Sequence, residues 1–75
     1  MVKPVSIEDS KYIEKFWVEA ELTRARDELE KVQDSDPQAI GSVSSWRDYR
    51  KALRAWQDNV NFPDSSKRPT APDSI

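Results

Sequence analysis

The sequence contains no cysteine and no histidine, and it has a single glycine among its 75 residues. Without cysteine the chain has no disulfide, and without histidine it lacks the commonest metal ligand and the commonest general base. Neither a Ser-His nor a Cys-His nucleophile can be built, so we expect a protein that is not an enzyme and that needs no cofactor or metal. A sheet would use more glycine in its turns, whereas 35% charged and 36% hydrophobic residues suit helices joined by a linker.

Long apolar runs are also absent. The first ten residues, MVKPVSIEDS, are too polar for a signal peptide or a membrane anchor, so we expect a cytoplasmic location and no membrane partner. The net charge of −2 makes nucleic acid an unlikely general partner. Residues 1–45 hold ten acidic and six basic side chains (−4), while residues 46–75 hold four and six (+2). This asymmetry favours packing of one part against the other, or an acidic partner on the basic part.

A stretch without glycine or proline covers residues 7–33 and predicts one long helix, or two helices in tandem, with Ser6 and Asp9 in the pattern of a helix cap. Its apolar residues form two stripes on nearly opposite sides of the helix. The first stripe consists of Ile13, Phe16, Trp17 and Ala20. The second stripe has heptad-like spacing and consists of Val18, Leu22, Ala25, Leu29 and Val32.

One partner surface cannot cover both stripes of a straight helix. We expect the second stripe to pack against another helix of the chain in a hairpin. The first stripe is then left to contact a second copy of the chain or a larger protein. The alternative is a kink near residues 18–22 that turns both stripes inward.

Residues 34–44 have the composition of a connection, because Pro37 interrupts the helix and Gly41 permits a positive φ. A second helix is predicted at about residues 45–59, with Ser45 and Asp48 as a capping box. Large apolar side chains share one side of this helix: Trp46, Tyr49, Leu53 and Trp56. So much aromatic area predicts that the helix holds either the rest of the chain or a partner.

The opposite side of the second helix is basic and carries Arg47, Arg50, Lys51 and Arg54. We expect this basic face to be solvated and partly neutralised by the acidic first helix. A DNA-binding helix-turn-helix is the alternative. It is disfavoured by the acidic total charge and by a connection of about eleven residues where that motif uses three or four.

Residues 60–75 contain prolines at positions 63, 69 and 72, which predicts an extended tail that is either disordered or laid along a surface. Phe62 is the expected anchor of this tail. Together these elements predict an all-α fold. One long and one short helix form a helical hairpin, and an extended proline-containing C-terminal tail follows, all within a single small domain spanning residues 1–75.

The second helix and the tail share an ordered set of uncommon residues. They read W-x-x-Y-R-x-x-L-R at residues 46–54, then Phe62-Pro63, then the run Arg68-Pro69-Thr70-Ala71-Pro72. This order resembles the C-terminal signature of bacteriophage tail and tail-fibre assembly chaperones, and it covers about residues 45–72. Members of that family commonly carry Trp-Pro near the end. This chain has Arg68-Pro69 there, so a second aromatic anchor in the tail is missing.

The resemblance implies a non-enzymatic chaperone in the cytoplasm of an infected bacterium that binds a larger tail or tail-fibre protein during virion assembly. The alternatives are a small structural subunit retained in the virion tail or fibre, and a DNA-binding regulatory module. The expected partner-binding residues are Ile13, Phe16, Trp17, Ala20, Trp46, Tyr49, Arg50, Arg54, Trp56, Phe62 and Pro63. Phe16 and Trp17 are the strongest candidates among them, because Trp46 and Leu53 are as well suited to an intramolecular core.

Overall fold

The computed structural model describes residues 7–74, with side chains described from residue 9 onward. Two α-helices, α1 (Ile7–Gln33) and α2 (Val43–Trp56), form an antiparallel hairpin. The tail contains two short 3-10 turns, at Ser65–Lys67 and Pro72–Ser74. No strand occurs within residues 7–74, so the prediction of an all-α hairpin of one long and one short helix is confirmed. The expected cap at Ser6 lies outside the described residues.

The C-terminal end of α1 is closed by a Schellman motif. The backbone N–H of Asp36 donates to the carbonyl oxygen of Lys31 at 3.0 Å, and that of Ser35 donates to Val32 at 3.1 Å. Ser35 adopts φ = 58°, the left-handed conformation that this motif requires at its turning residue. The helix therefore ends before Pro37, where the backbone has already changed direction.

The N-terminal end of α2 differs from the prediction. Ser42 caps the helix, because the N–H of Ser45 donates to Ser42 Oγ at 3.1 Å and the N–H of Ser42 donates to Ser45 Oγ at 2.8 Å. The prediction of a capping box formed by Ser45 and Asp48 is therefore wrong. α2 begins at Val43, two residues earlier than predicted. Both serine positions satisfy the three-residue spacing of a capping box. The earlier cap also places Val43 against the core.

The core lies between the second stripe of α1 and the aromatic stripe of α2. Its buried residues are Val18, Ala25, Leu29, Trp46, Tyr49, Leu53, Trp56 and Ala71. Each large side chain in this position contributes roughly 1.5–3 kcal/mol relative to an exposed one. α1 continues as one helix through residues 18–22 while Ile13 and Phe16 stay exposed. The alternative of a kink that turns both stripes inward is therefore not what the chain adopts.

The tail lies along the hairpin instead of extending away from it. The Phe62 ring meets the edge of Trp56, with 5.6 Å between the ring centroids and 68° between the planes. The peptide bond between Phe62 and Pro63 is cis. Further along, Ala71 enters the core. The prediction of an extended tail is corrected in one respect, because the 3-10 turns give the tail local structure. None of the helices within residues 7–74 has the length and apolarity needed to span a membrane.

Gly41 and Ser35 both have positive φ, and substitutions there are expected to have opposite effects. Gly41→Ala should lower the free energy of unfolding by about 1–3 kcal/mol. The residue holds φ = 85°, and a Cβ there would lie 2.9 Å from Ser45 Oγ and 3.2 Å from Pro72 Cβ. Ser35→Gly should raise the free energy of unfolding by about 0.5 kcal/mol, because it relieves the left-handed strain. Urea unfolding followed by tryptophan fluorescence measures both, and a Gly41→Ala variant as stable as the wild type would contradict this account.

Candidate partner-binding surface

The N-terminal half of α1 exposes a group of apolar side chains that the core does not use. Tyr12 is 80% exposed, Phe16 is 75% exposed and Ile13 is 56% exposed. Ala20 is also exposed and lies one turn beyond Phe16. We call these four residues, Tyr12, Ile13, Phe16 and Ala20, the α1 apolar face. Large apolar side chains grouped in this way on a helix form an adhesive patch, unlike single ones scattered over a surface.

The two aromatic rings of this face border a shallow groove. Tyr12 and Phe16 are one turn apart, and the groove between them is also lined by Lys15 and Glu19. An apolar strip therefore has one cation and one anion along its edge. Sequence reasoning included Phe16, Ile13 and Ala20 but missed Tyr12. The i, i+4 spacing of Tyr12 and Phe16 was the signal that could have identified it.

Trp17 was expected to contact a partner, but it is not part of the exposed surface. Its ring is half-buried against the core, and the guanidinium of Arg68 lies over it, 4.3 Å from the ring centroid. Trp17 points between the two stripes of α1, so the tail can reach it. The cation–π contact then gives the ring a partner within the chain. The prediction that Trp17 contacts a partner is therefore corrected: its ring binds Arg68 of the tail.

Three aromatic residues of α2 that were expected to bind a partner are internal. Trp46 is fully buried, and Tyr49 and Trp56 are nearly so. Trp46 donates its indole N–H to the Ile40 carbonyl at 2.7 Å, which ties the connection to the core. These side chains cannot contact another molecule while the hairpin is intact. The aromatic stripe of α2 therefore packs inside the chain and holds α2 against α1.

The basic face of α2 is open to solvent. Arg47, Arg50, Lys51 and Arg54 line a common surface groove, and within residues 9–74 Arg50 and Arg54 form no ion pair. From residue 9 onward, no acidic side chain of α1 forms an ion pair with this face, so the expected neutralisation is not seen in the described residues. The inward-facing carboxylates of α1 are bound by other arginines, as described below. Arg50 and Arg54 remain accessible to an acidic partner.

Phe62 and Pro63 are half-buried where the tail leaves α2. Phe62 packs on Trp56, and Pro63 borders a small pocket with Ile13 and Arg68. The two residues fix the path of the tail across the end of the hairpin. Only Pro63 is adjacent to the α1 apolar face, through its proximity to Ile13.

A buried carboxylate joins α1, α2 and the tail. Glu14 is 2% exposed, and its Oε2 accepts a hydrogen bond from the Trp56 indole at 3.1 Å. Arg68 donates from Nε to Oε1 at 2.9 Å and from Nη2 to the same oxygen. Sequence reasoning missed both Glu14 and Arg68. A glutamate among apolar helix positions is ordinarily read as solvated, and nothing local indicates an arginine 54 residues away.

The arginine also sets the ionisation of this carboxyl. The hydrogen bonds from Arg68 hold the pKa of Glu14 below its ordinary value, against the opposing effect of burial, and the Trp56 indole acts in the same direction as Arg68. Glu14 therefore stays ionised in the folded chain. Arg68 anchors the tail by its ion pair with Glu14 and by stacking on Trp17.

A second ionic network fixes the end of the tail. Arg24 donates from Nε to Glu21 at 2.8 Å and from Nη1 to Asp73 at 2.6 Å. The Tyr49 hydroxyl donates to Glu21 at 2.7 Å. Hydrogen bonds from Arg24 lower the pKa of Glu21 and of Asp73, and burial together with the Glu21 contact raises the pKa of Tyr49. Within the described residues, no cluster of acidic side chains is arranged to hold a metal ion.

No protein-family model matches the chain, and neither the curated proteins nor the solved structures include a significant match.

Removal of either partner of the Glu14–Arg68 pair should destabilise the chain, but to different extents. Arg68→Met keeps apolar contact with Trp17 and leaves the buried charge without a cation, so the free energy of unfolding should fall by about 3 kcal/mol. Glu14→Gln should cost about 1–2 kcal/mol, because Arg68 can then turn toward solvent. The double variant should be less destabilised than the sum by about 1 kcal/mol or more.

Urea unfolding of the single and double variants measures this coupling. Arg54→Met is the matched control. It removes the same charge from an exposed position without an ion pair and should stay within about 0.5 kcal/mol of the wild type. An Arg68→Met variant that is no less stable than Arg54→Met would show that the buried pair does not hold the tail.

Stability should also fall on acidification. The pKa values of Glu14, Glu21 and Asp73 are lowered in the folded chain, so below pH 4.5 the unfolded chain binds more protons than the folded one. The contribution of these carboxylates is complete above that pH and is lost as the pH falls through their folded values. The urea midpoint should therefore decline between about pH 5 and about pH 3, and Glu14→Gln should flatten the decline. A midpoint independent of pH over that range would contradict the depressed pKa values.

Proposed function

We propose that this protein is a non-enzymatic assembly chaperone that binds a larger phage tail or tail-fibre protein, here called the client, through the α1 apolar face. The observation that carries the proposal is the exposure of Tyr12, Ile13 and Phe16 on a helix whose opposite side packs in the core. The fold does not need these side chains. A group of large apolar side chains on the surface of a small domain indicates a site that another molecule covers.

The form of the face suits helix-in-groove recognition. Phe16 and Ala20 follow Tyr12 at successive turns, and Ile13 broadens the strip on one side. Such a strip can insert its rings into an apolar groove of the client while the charged edge stays in water. Arg50 and Arg54, on another side of the hairpin, remain free to orient acidic groups of the same client.

The resemblance to tail and tail-fibre chaperones supports the choice of client. Trp46, Tyr49 and Leu53 of the shared signature are core residues here. The signature therefore accounts for the architecture of the hairpin and tail, and the family's activity comes to this chain by analogy. The substitution of Arg68 for the family's tryptophan keeps an anchor for the tail. It changes the anchor's chemistry from aromatic packing to an ion pair with Glu14.

A structural subunit retained in the virion would use the same adhesive face. The two functions differ in the fate of the complex, because a chaperone leaves the client before the particle is complete and a subunit remains in stoichiometric amounts. Mass spectrometry of purified virions distinguishes them. Recovery of this chain in a fixed ratio to the tail or fibre protein would favour the structural subunit.

Client binding should depend on Phe16 and not on exposed apolar residues in general. Phe16→Asp is expected to reduce co-purification with a co-expressed phage tail or tail-fibre protein by about tenfold or more. Val60→Asp is the matched control, because Val60 is 96% exposed and lies outside the face. Circular dichroism should show both variants folded. Equal retention of the client by the two variants would remove the α1 apolar face from the proposal.

A further inference from the structure

We propose that, in the absence of a client, the α1 apolar face pairs with the same face of a second copy of this chain, in an antiparallel two-fold arrangement centred on residue 17. The inference concerns the isolated protein and does not depend on the proposed client. Its basis is the charge pattern along the edge of the face, together with the apolar area that the fold leaves uncovered.

The edge of the face is complementary to itself. Lys15 and Glu19 lie one turn apart beside Tyr12 and Phe16, and all four line the same groove. In a two-fold interface, whenever a residue contacts a second one across the axis, the second contacts the first in return. An antiparallel pair centred on residue 17 brings Lys15 of each copy to Glu19 of the other, since 15 and 19 are equally far from 17. Two opposite-charge pairs form at once.

A parallel two-fold pairing of the same faces would not form these charge pairs. It would place the charged edges of the two copies on opposite sides of the seam, so that neither Lys15 nor Glu19 would meet its counterpart. Neither side chain has an ion-pair partner within residues 9–74. Both are therefore available to a second copy, and their order along the helix selects the antiparallel orientation.

The apolar residues fit the same register. Around a centre at residue 17, Phe16 of one copy meets Phe16 and Ala20 of the other, and the small side chain of Ala20 leaves room for the ring. Two aromatic side chains that are at least three-quarters exposed offer about 300 Å² per copy. Ile13 and the aliphatic parts of Lys15 and Glu19 add to this area. The total stays below the roughly 800 Å² per partner of a standard interface, so we expect a dissociation constant in the micromolar range.

Charge reversal tests the register directly. Lys15→Glu gives a copy with two acidic residues on the edge, and Glu19→Lys gives a copy with two basic ones. Each variant alone should dimerise about tenfold or more weakly than the wild type, because like charges then face each other. An equimolar mixture of the two variants should restore dimerisation, since every pair in the heterodimer is again of opposite charge. The double variant Lys15→Glu/Glu19→Lys should also dimerise.

Sedimentation equilibrium over about 10 to about 500 µM measures these constants, with circular dichroism to confirm that each variant is folded. Lys11→Glu is the matched control. It makes the same change on the same helix, but its symmetry-related position is the uncharged Thr23. Its dissociation constant should stay close to that of the wild type.

The expected result is dimerisation of the wild type, loss in each single reversal and recovery in the mixture. A wild-type chain that is monomeric throughout this range would overturn the proposal and leave the α1 apolar face to a client alone. Association that is equally strong in all the variants would overturn the antiparallel register. Neither result would affect the proposed function, which the Phe16→Asp co-purification tests separately.

Discussion

The fold depends on one buried carboxylate. Glu14 sits at the end of the hairpin with 2% of its surface exposed, and an ionised group in such a place is tolerated only if its charge is matched and its oxygens are hydrogen-bonded. Trp56 supplies the bond from α2 and Arg68 supplies both the charge and further bonds from the tail. The three parts of the chain therefore have to come together at the same point.

The second network repeats this design at the other end of α2, near Trp46. Arg24 bridges Glu21 and Asp73 while its guanidinium lies 5.5 Å from the Trp46 ring centroid. In both networks an arginine pairs with a carboxylate and stacks on a tryptophan. This combination suits the planar, delocalised guanidinium and would be lost with lysine. The tail is thus fixed at its middle by Arg68 and near its C-terminal end by Asp73, and the inner sides of the helices pack against each other. The α1 apolar face is left exposed because α2 packs on the other side of α1 and the tail reaches this face only at its edge, near Ile13.

Much of the fold could be predicted from the sequence because it follows from periodicity. The heptad of Val18–Val32 and the stripe of α2 specify which sides of the helices meet, and the hairpin follows. The start of α2 was missed because Ser42 and Ser45 offer equivalent capping patterns and only tertiary packing of Val43 distinguishes them. The ionic contacts could not be predicted because they join residues 49 and 54 positions apart through a tail without periodicity. The misassigned Trp17 has the same cause, since its partner is the unforeseen Arg68.

The antiparallel hairpin also lowers the conformational entropy that the tail loses when Arg68 reaches Glu14. Closing a loop of 54 residues in an otherwise free chain costs about 3.5 kcal/mol of entropy, from the logarithmic dependence on length. Once α2 has brought Trp56 to Glu14, however, the segment left to close runs only from residue 56 to residue 68. That loop of 68 − 56 = 12 residues costs about 2.2 kcal/mol on the same scale. Arg68 can therefore form a contact with a residue 54 positions earlier at a reduced entropic cost, because α2 has already brought Trp56 to Glu14.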